Sequence, residues 1–220
     1  MDSPRFSRDL LAFLVGVPLA WAVLLMFHPG GDASDVYGSA SDDVTAFLVV
    51  HLGMLLFIPL MAVVVYLLLR GVGGSAAKVA RIALIPFVIF YSAWETLQGI
   101  ANAVLIDQVN ALPQSERGVG AGLVQDFAES PLVRDLGVFA TLGSLGLIVA
   151  LIATAVALRN EAGAPTSVAV LLGASGFLIT AHPPPFGPTG LALFIVAVLL
   201  YARSRSAAPA RSPLGQARPA

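Results

Sequence analysis

Three histidines, His28, His51 and His182, and one glutamate inside an apolar run, Glu95, are the residues of this chain best suited to chemistry. There is no cysteine. Disulfides, thiolate metal sites, cysteine nucleophiles and cysteine-linked haem are therefore excluded. Metal or proton chemistry falls to imidazole and carboxylate. Two or three imidazoles with a carboxylate suit zinc, copper or iron, with a position left for water or substrate. Two histidines at matching depth can also hold a haem b. That is less natural here, because His51 should lie deeper than the other two. Without a metal, Glu95 and His51 can relay protons. Spacing does not decide between these chemistries. The chain has no HExxH, no paired HxxxH, no nucleophile elbow and no phosphate loop.

Tyr91, Glu95, Gln98 and Asn102 follow one another at spacings of four, three and four, which puts all four on one face of a helix. A charged group near the centre of a spanning helix costs roughly 2.5–3.5 kcal/mol on insertion scales. The stripe must therefore face the bundle interior or a wet cavity, where it forms a candidate ligand or proton pocket with His51. The alternative is a protonated Glu95 that hydrogen-bonds a neighbouring helix as packing glue.

The stretch AHPPPFGPTG, residues 181–190, should hold His182 rigidly. Proline cannot continue a helix and biases the preceding residue to an extended backbone. A helix should end near Ala181. Gly187 allows a bend, and Pro188 suits the first turn of the next helix. The result is a stiff cap with His182 over the bundle, or a turn in which His182 is only an interfacial polar group. His28, before Pro29-Gly30, is a second rim candidate or simply a helix end. His28, His51, Glu95 and His182 are the candidate metal ligands.

The elements that position these groups are apolar. Hydrophobic residues make up 57% of the 220 residues and charged residues 11%, against about 25% charged in soluble domains. The net charge of −1 gives no argument for nucleic acid. A spanning helix needs roughly 20 apolar residues. Candidate spans are 10–27, 44–69, 82–106, 136–158, 167–181 and 189–202. The last two rise only about 22 Å at about 1.5 Å per residue, so they are two spans around a sunken turn or one re-entrant hairpin. Two spans are preferred, because Pro165-Thr166 and Arg203 flank the same side of the pair. The fold expected is an all-α polytopic transmembrane bundle in one domain, 1–203. A disordered cytoplasmic tail, 204–220, follows.

Basic residues fall mainly at Arg5 and Arg8, in the second loop (Arg70, Lys78, Arg81), at Arg159 and in the tail, with Arg117 and Arg134 diluted over the long third loop. The first loop carries Asp32, Asp35, Asp42 and Asp43 and no base. This pattern predicts six helices with both termini in the cytoplasm. A competing signal-peptide reading places cleavage near Gly31-Asp32-Ala33. In the long third loop, Val119, Leu123 and Phe127 suggest an interfacial helix between Pro113 and Pro131, weakened by Gly118, Gly120 and Gly122. Small residues every fourth position, as in Gly146-x-x-x-Ala150, mark the fourth span as scaffold for close helix approach. Pro18, Pro59 and Pro86 are expected kinks in the first three.

The high Ala, Gly, Val and Arg content suggests a bacterial cytoplasmic (inner) membrane protein. The leading expectation is a binding or sensing module with an outward-facing His/Glu pocket, with the lipid bilayer and a homo-oligomer or membrane partner as its surroundings. One alternative is an intramembrane metal-dependent enzyme acting on a lipid or apolar substrate, with Glu95 as acid/base. Another is an accessory subunit without a site.

Overall fold

A computed structural model describes residues 6–29, residue 32 and residues 34–207. Arg5, Gly31 and Ala33 of the candidate cleavage site, and the tail beyond residue 207, lie outside the described residues. The eight helices named here are α1 (Arg8–Leu25), α2 (Val36–Ala40), α3 (Val44–Leu68), α4 (Gly74–Asn110), α5 (Arg117–Ala128), α6 (Val138–Ala162), α7 (Thr166–Thr180) and α8 (Phe186–Ala207). The described residues contain no strand. Packing runs from α1 to α8, α7, α6, α4, α3 and back to α1, a closed ring of six helices.

Local sequence explains most boundaries. Ser7 caps α1 by accepting from the Leu10 N–H at 3.2 Å. Asp35 and Asp43 cap α2 and α3 by accepting from Gly38 and Ala46. Two acids of the first loop are thus helix caps. A 3₁₀ turn, Ser41–Asp43, joins α2 to α3. Gly163, at φ 66°, ends α6 in the left-handed region that glycine adopts without strain. Pro18, Pro59 and Pro86 all lie inside helices.

Five helical runs are long and apolar enough to cross a membrane by length and composition: Arg8–Leu25, Val36–Leu68, Gly74–Asn110, Val138–Ala162 and Phe186–Ser206. Thr166–Thr180 is shorter, at 15 residues. Leu56, Ile82, Ile89, Leu145 and Phe177 are each at least half exposed on these runs. So many exposed large apolar side chains suit a bilayer rather than water. The chain is an apolar helical bundle of the kind a membrane holds.

The glycines of α6 allow a close helix approach. A Cβ on Gly143 would lie 2.6 Å from the Tyr91 backbone nitrogen, and one on Gly146 would lie 2.6 Å from that of Phe87. Bare backbone therefore lets α6 press against α4 where α4 carries Tyr91. In this region α4 is not a regular α-helix. It has two π-type stretches, Phe87–Tyr91 and Glu95–Ala101. Such stretches shift the face that later residues present, and they recur at functional sites.

Several boundaries depart from expectation. α4 is 37 residues long, roughly 55 Å at about 1.5 Å per residue. It outruns a hydrocarbon layer of about 30 Å, so its end projects to meet α2 and α5. A second small core forms there, from Val36, Phe47, Ile106 and Val124 among others. α5 forms in the third loop, with Val119 and Leu123 exposed and Gly120, Val124 and Ala128 turned inward. The glycine that weakens helix propensity is what lets α5 lie close: a Cβ on Gly120 would meet Val109. α8 begins at Phe186, so Gly187 belongs to its first turn rather than to a bend before it, and Pro188 lies in that first turn as expected. It continues through residues 204–207, expected as tail, where Arg205 donates to the Tyr201 hydroxyl at 2.8 Å.

Gly143→Val or Gly146→Val should separate α4 from α6 and lower stability by about 1–3 kcal/mol, the usual cost of overpacking. Thermal unfolding in detergent checks this, with Gly16→Ala, in open space, as the neutral control.

Candidate metal centre

His28, His51, His182 and Glu95 come from four separate parts of the ring and meet at one end of it. His51 stands on α3, one turn after Phe47. Its Nδ1 lies 2.7 Å from the Phe47 carbonyl. A carbonyl only accepts, so Nδ1 carries the proton and Nε2 is the basic nitrogen. His28 follows the end of α1, and its Nδ1 lies 2.6 Å from the Pro29 carbonyl. The same logic leaves its Nε2 basic. A histidine held by a backbone acceptor on one nitrogen and free on the other is the usual preparation of a metal ligand.

His182 sits between α7 and α8, 6% exposed. Trp94 packs edge-on against its ring at 5.3 Å, and the Trp94 indole is fixed by donating to the Val133 carbonyl at 2.7 Å. Tyr91 donates to the Thr180 carbonyl at 3.2 Å and so ties α4 to the end of α7 just before the turn. Gly187 is required by proximity: a Cβ there would overlap the His182 carbonyl. Burial pushes the His182 imidazole well below its ordinary pKa, and the neighbouring His28 and His51 push the same way. Burial also lowers that of His28, against the opposing hydrogen bond to Pro29.

One ligand nitrogen from each histidine can be chosen so that the three lie within 4.8 Å of one another. Glu95 lies against two of them, with Oε2 3.7 Å from His51 Nε2 and Oε1 3.9 Å from His182 Nδ1. Both distances are too long for a hydrogen bond. His28 Nε2, His182 Nδ1 and both Glu95 oxygens are buried without a hydrogen-bond partner. Leaving such a group unsatisfied costs about 1–3 kcal/mol. Four of them at one point make a cluster of donor atoms around a gap. Metal–nitrogen bonds of about 2.0–2.1 Å in a tetrahedral site imply ligand atoms about 3.4 Å apart. A contraction on the order of an ångström would close the three histidines onto one ion, with Glu95 beside two of them. The chain thus holds a buried histidine cluster able to bind metal.

A cavity of about 110 Å³ adjoins the cluster, bordered by all three histidines, Trp94 and Gln98. It is also bordered by Ser39 of α2 and by Asp32 and Asp135, both exposed residues. It has room for a few waters or a small ion.

The structure brings together His28, His51, His182 and Glu95. It puts Gln98 on the cavity wall, half-buried. Asn102 is fully buried one turn further on, with its amide donating to the Gln98 carbonyl at 2.9 Å and side-chain oxygen at 3.2 Å. Neither Asn102 nor Tyr91 borders the cavity. The unequal depth expected for the histidines is not seen. The His28 ring lies 5.0 Å from those of His51 and His182, because α1 stops at Leu25 and the chain after it turns inward. Sequence reasoning missed Gly99, Asp135 and the α2 wall. A Cβ on Gly99 would overlap the His51 ring, so this glycine makes room for it against α4. A glycine at the Glu95+4 position of a polar stripe was the available signal.

No protein-family model, curated protein or solved structure matches the chain. The geometry of the cluster carries the functional reading.

Gly99→Ala should displace His51 while leaving helix content intact. The expected result is a moved His51 signal in the NMR spectrum of histidine-labelled protein and a stability loss of about 1–3 kcal/mol. An unmoved His51 signal would show that the ring does not rely on Gly99.

Proposed function

We propose that this is a multi-pass protein of a bacterial cytoplasmic membrane that binds one divalent transition-metal ion from the outer side, as a small binding or sensing module. His28, His51 and His182 supply three nitrogens and Glu95 the carboxylate. The observation that carries this reading is the convergence, beside the His51 imidazole of α3, of unpartnered polar atoms from α4, the chain after α1 and the turn before α8. Three imidazoles and one carboxylate, with no thiolate, suit zinc, iron or copper(II) better than magnesium or calcium. The acidic rim at Asp32 and Asp135 favours a cation arriving from water. A lipid-processing centre would need an opening toward the bilayer, and this rim of loop carboxylates is a poor entrance for an apolar substrate.

The bundle has six spans with both termini in the cytoplasm. The base-rich loops support this: Arg70, Lys78 and Arg81 share one end with Arg159, and the His cluster lies at the other. The shortness of α7 fits as well. Fifteen residues rise about 22 Å, enough because the turn after α7 is sunk to the depth of the histidines.

Elemental analysis of detergent-purified protein should find close to one transition-metal ion per chain, lost in His51→Ala and weakened at least tenfold in Glu95→Gln. Bound metal should also raise the unfolding temperature, because it staples four parts of the ring together. No metal after attempted reloading of folded protein would overturn the reading. Topology has its own test, since the chain has no cysteine of its own. In intact cells an impermeant maleimide should label Ser115→Cys, and it should label Ser75→Cys only after permeabilisation. The reverse pattern would invert the bundle and place the metal site inside.

A further inference from the structure

At the end of the bundle away from the histidines, α3 and α4 leave an open groove between them. Its walls are apolar: Val63 on α3, and Ile85, Val88 and Ile89 on α4. One end is closed by Tyr66 and Arg81. The Arg81 guanidinium lies 5.7 Å from the centre of the Tyr66 ring. Its Nη2 donates to the Leu69 and Val72 carbonyls at 2.9 and 3.0 Å, which caps the end of α3. These bonds fix the guanidinium in place but use only one of its nitrogens. Its Nε and Nη1 meet no protein acceptor among the described residues. Arg70 and Lys78 are exposed nearby on the same connection. The Glu161 carboxylate sits against Gly74 near this connection and does not border the groove.

We infer that this groove is a binding site for one anionic phospholipid, with the phosphate at Arg81 and an acyl chain along α3 and α4. Charge complementarity selects the occupant. A fixed, half-used guanidinium at the mouth of an apolar channel matches a phosphate ester attached to a hydrocarbon tail. Arginine presents planar N–H pairs to phosphate, and the two basic neighbours add attraction for an anionic headgroup. The length also fits. From Arg81 to Ile89 the groove follows eight residues of helix, about 12 Å at about 1.5 Å per residue, a substantial part of one leaflet. Tyr66, exposed at the same end of the groove as Arg81, is of the residue type enriched at membrane interfaces. The site is independent of the metal centre.

Native mass spectrometry of the full chain, released from detergent after equilibration with equal phosphatidylglycerol and phosphatidylcholine, tests the inference. The wild type should retain one phosphatidylglycerol in preference to phosphatidylcholine by about fivefold or more, the scale expected for one basic residue at a membrane surface. Arg81→Gln should reduce that preference toward equality. Because Arg81 also caps α3, Val63→Trp provides a second variant that fills the groove and leaves the cap intact; it should lower retention of phosphatidylglycerol. Arg159→Gln, at the same end but outside the groove, should leave the preference unchanged. Equal retention of the two lipids by the wild type would overturn the inference. So would an undiminished preference in both Arg81→Gln and Val63→Trp.

Discussion

The burial of one carboxylate among three imidazoles is the constraint around which the rest of this bundle is arranged. Glu95 is 1% exposed and His51 2%, in a setting where an unpaired charge is expensive. Among the described residues Glu95 has no donor within hydrogen-bond reach. What lies around it are histidine nitrogens too far to bond and too close to ignore. Under the proposed assignment a cation completes the group. It would be held by ligands whose tautomers the backbone has already chosen through Phe47 and Pro29.

Placing those groups requires backbone to come closer than ordinary side chains permit. Gly143 and Gly146 seat α6 against α4, and Gly99 seats the His51 ring against α4. Gly187 lets the first turn of α8 touch the His182 carbonyl. The π-type stretches of α4 fall in the same region. Tyr91, Trp94, Glu95 and Gly99 all turn inward there. Each is a local departure from the best helix sequence, and each positions a neighbour of the site.

The same end of the molecule is covered by structure outside the apolar belt. The long α4 carries Asn110 out to α2, where it accepts from Tyr37 and donates to the Ser41 carbonyl. α5 braces α2 from the side through Gln125, which accepts from the Val36 N–H. α2 in turn forms one wall of the cavity. The third loop therefore supports the cover of the site without contributing a ligand.

The sequence by itself determined the class of the fold, because hydropathy and chain length dictate which segments a bilayer can hold. It also singled out the four converging residues, because an ionisable group in an apolar run is costly wherever it points. Glu95 was legible as a residue that must face inward, and His182 as one held by a rigid turn. The sequence could not show that His28 reaches His51, since that depends on α1 ending three residues before His28 and the chain folding in. It marked Val119 and Leu123 of α5 as an apolar stripe, and they are exposed, but it did not show that Gly120 would be on the packed side. Likewise Gly99 matters only through the ring that lies against it. Composition and periodicity are properties of single segments. Which donor atoms share a gap of a few ångströms is decided by how six helices close into a ring, and only the tertiary structure contains that.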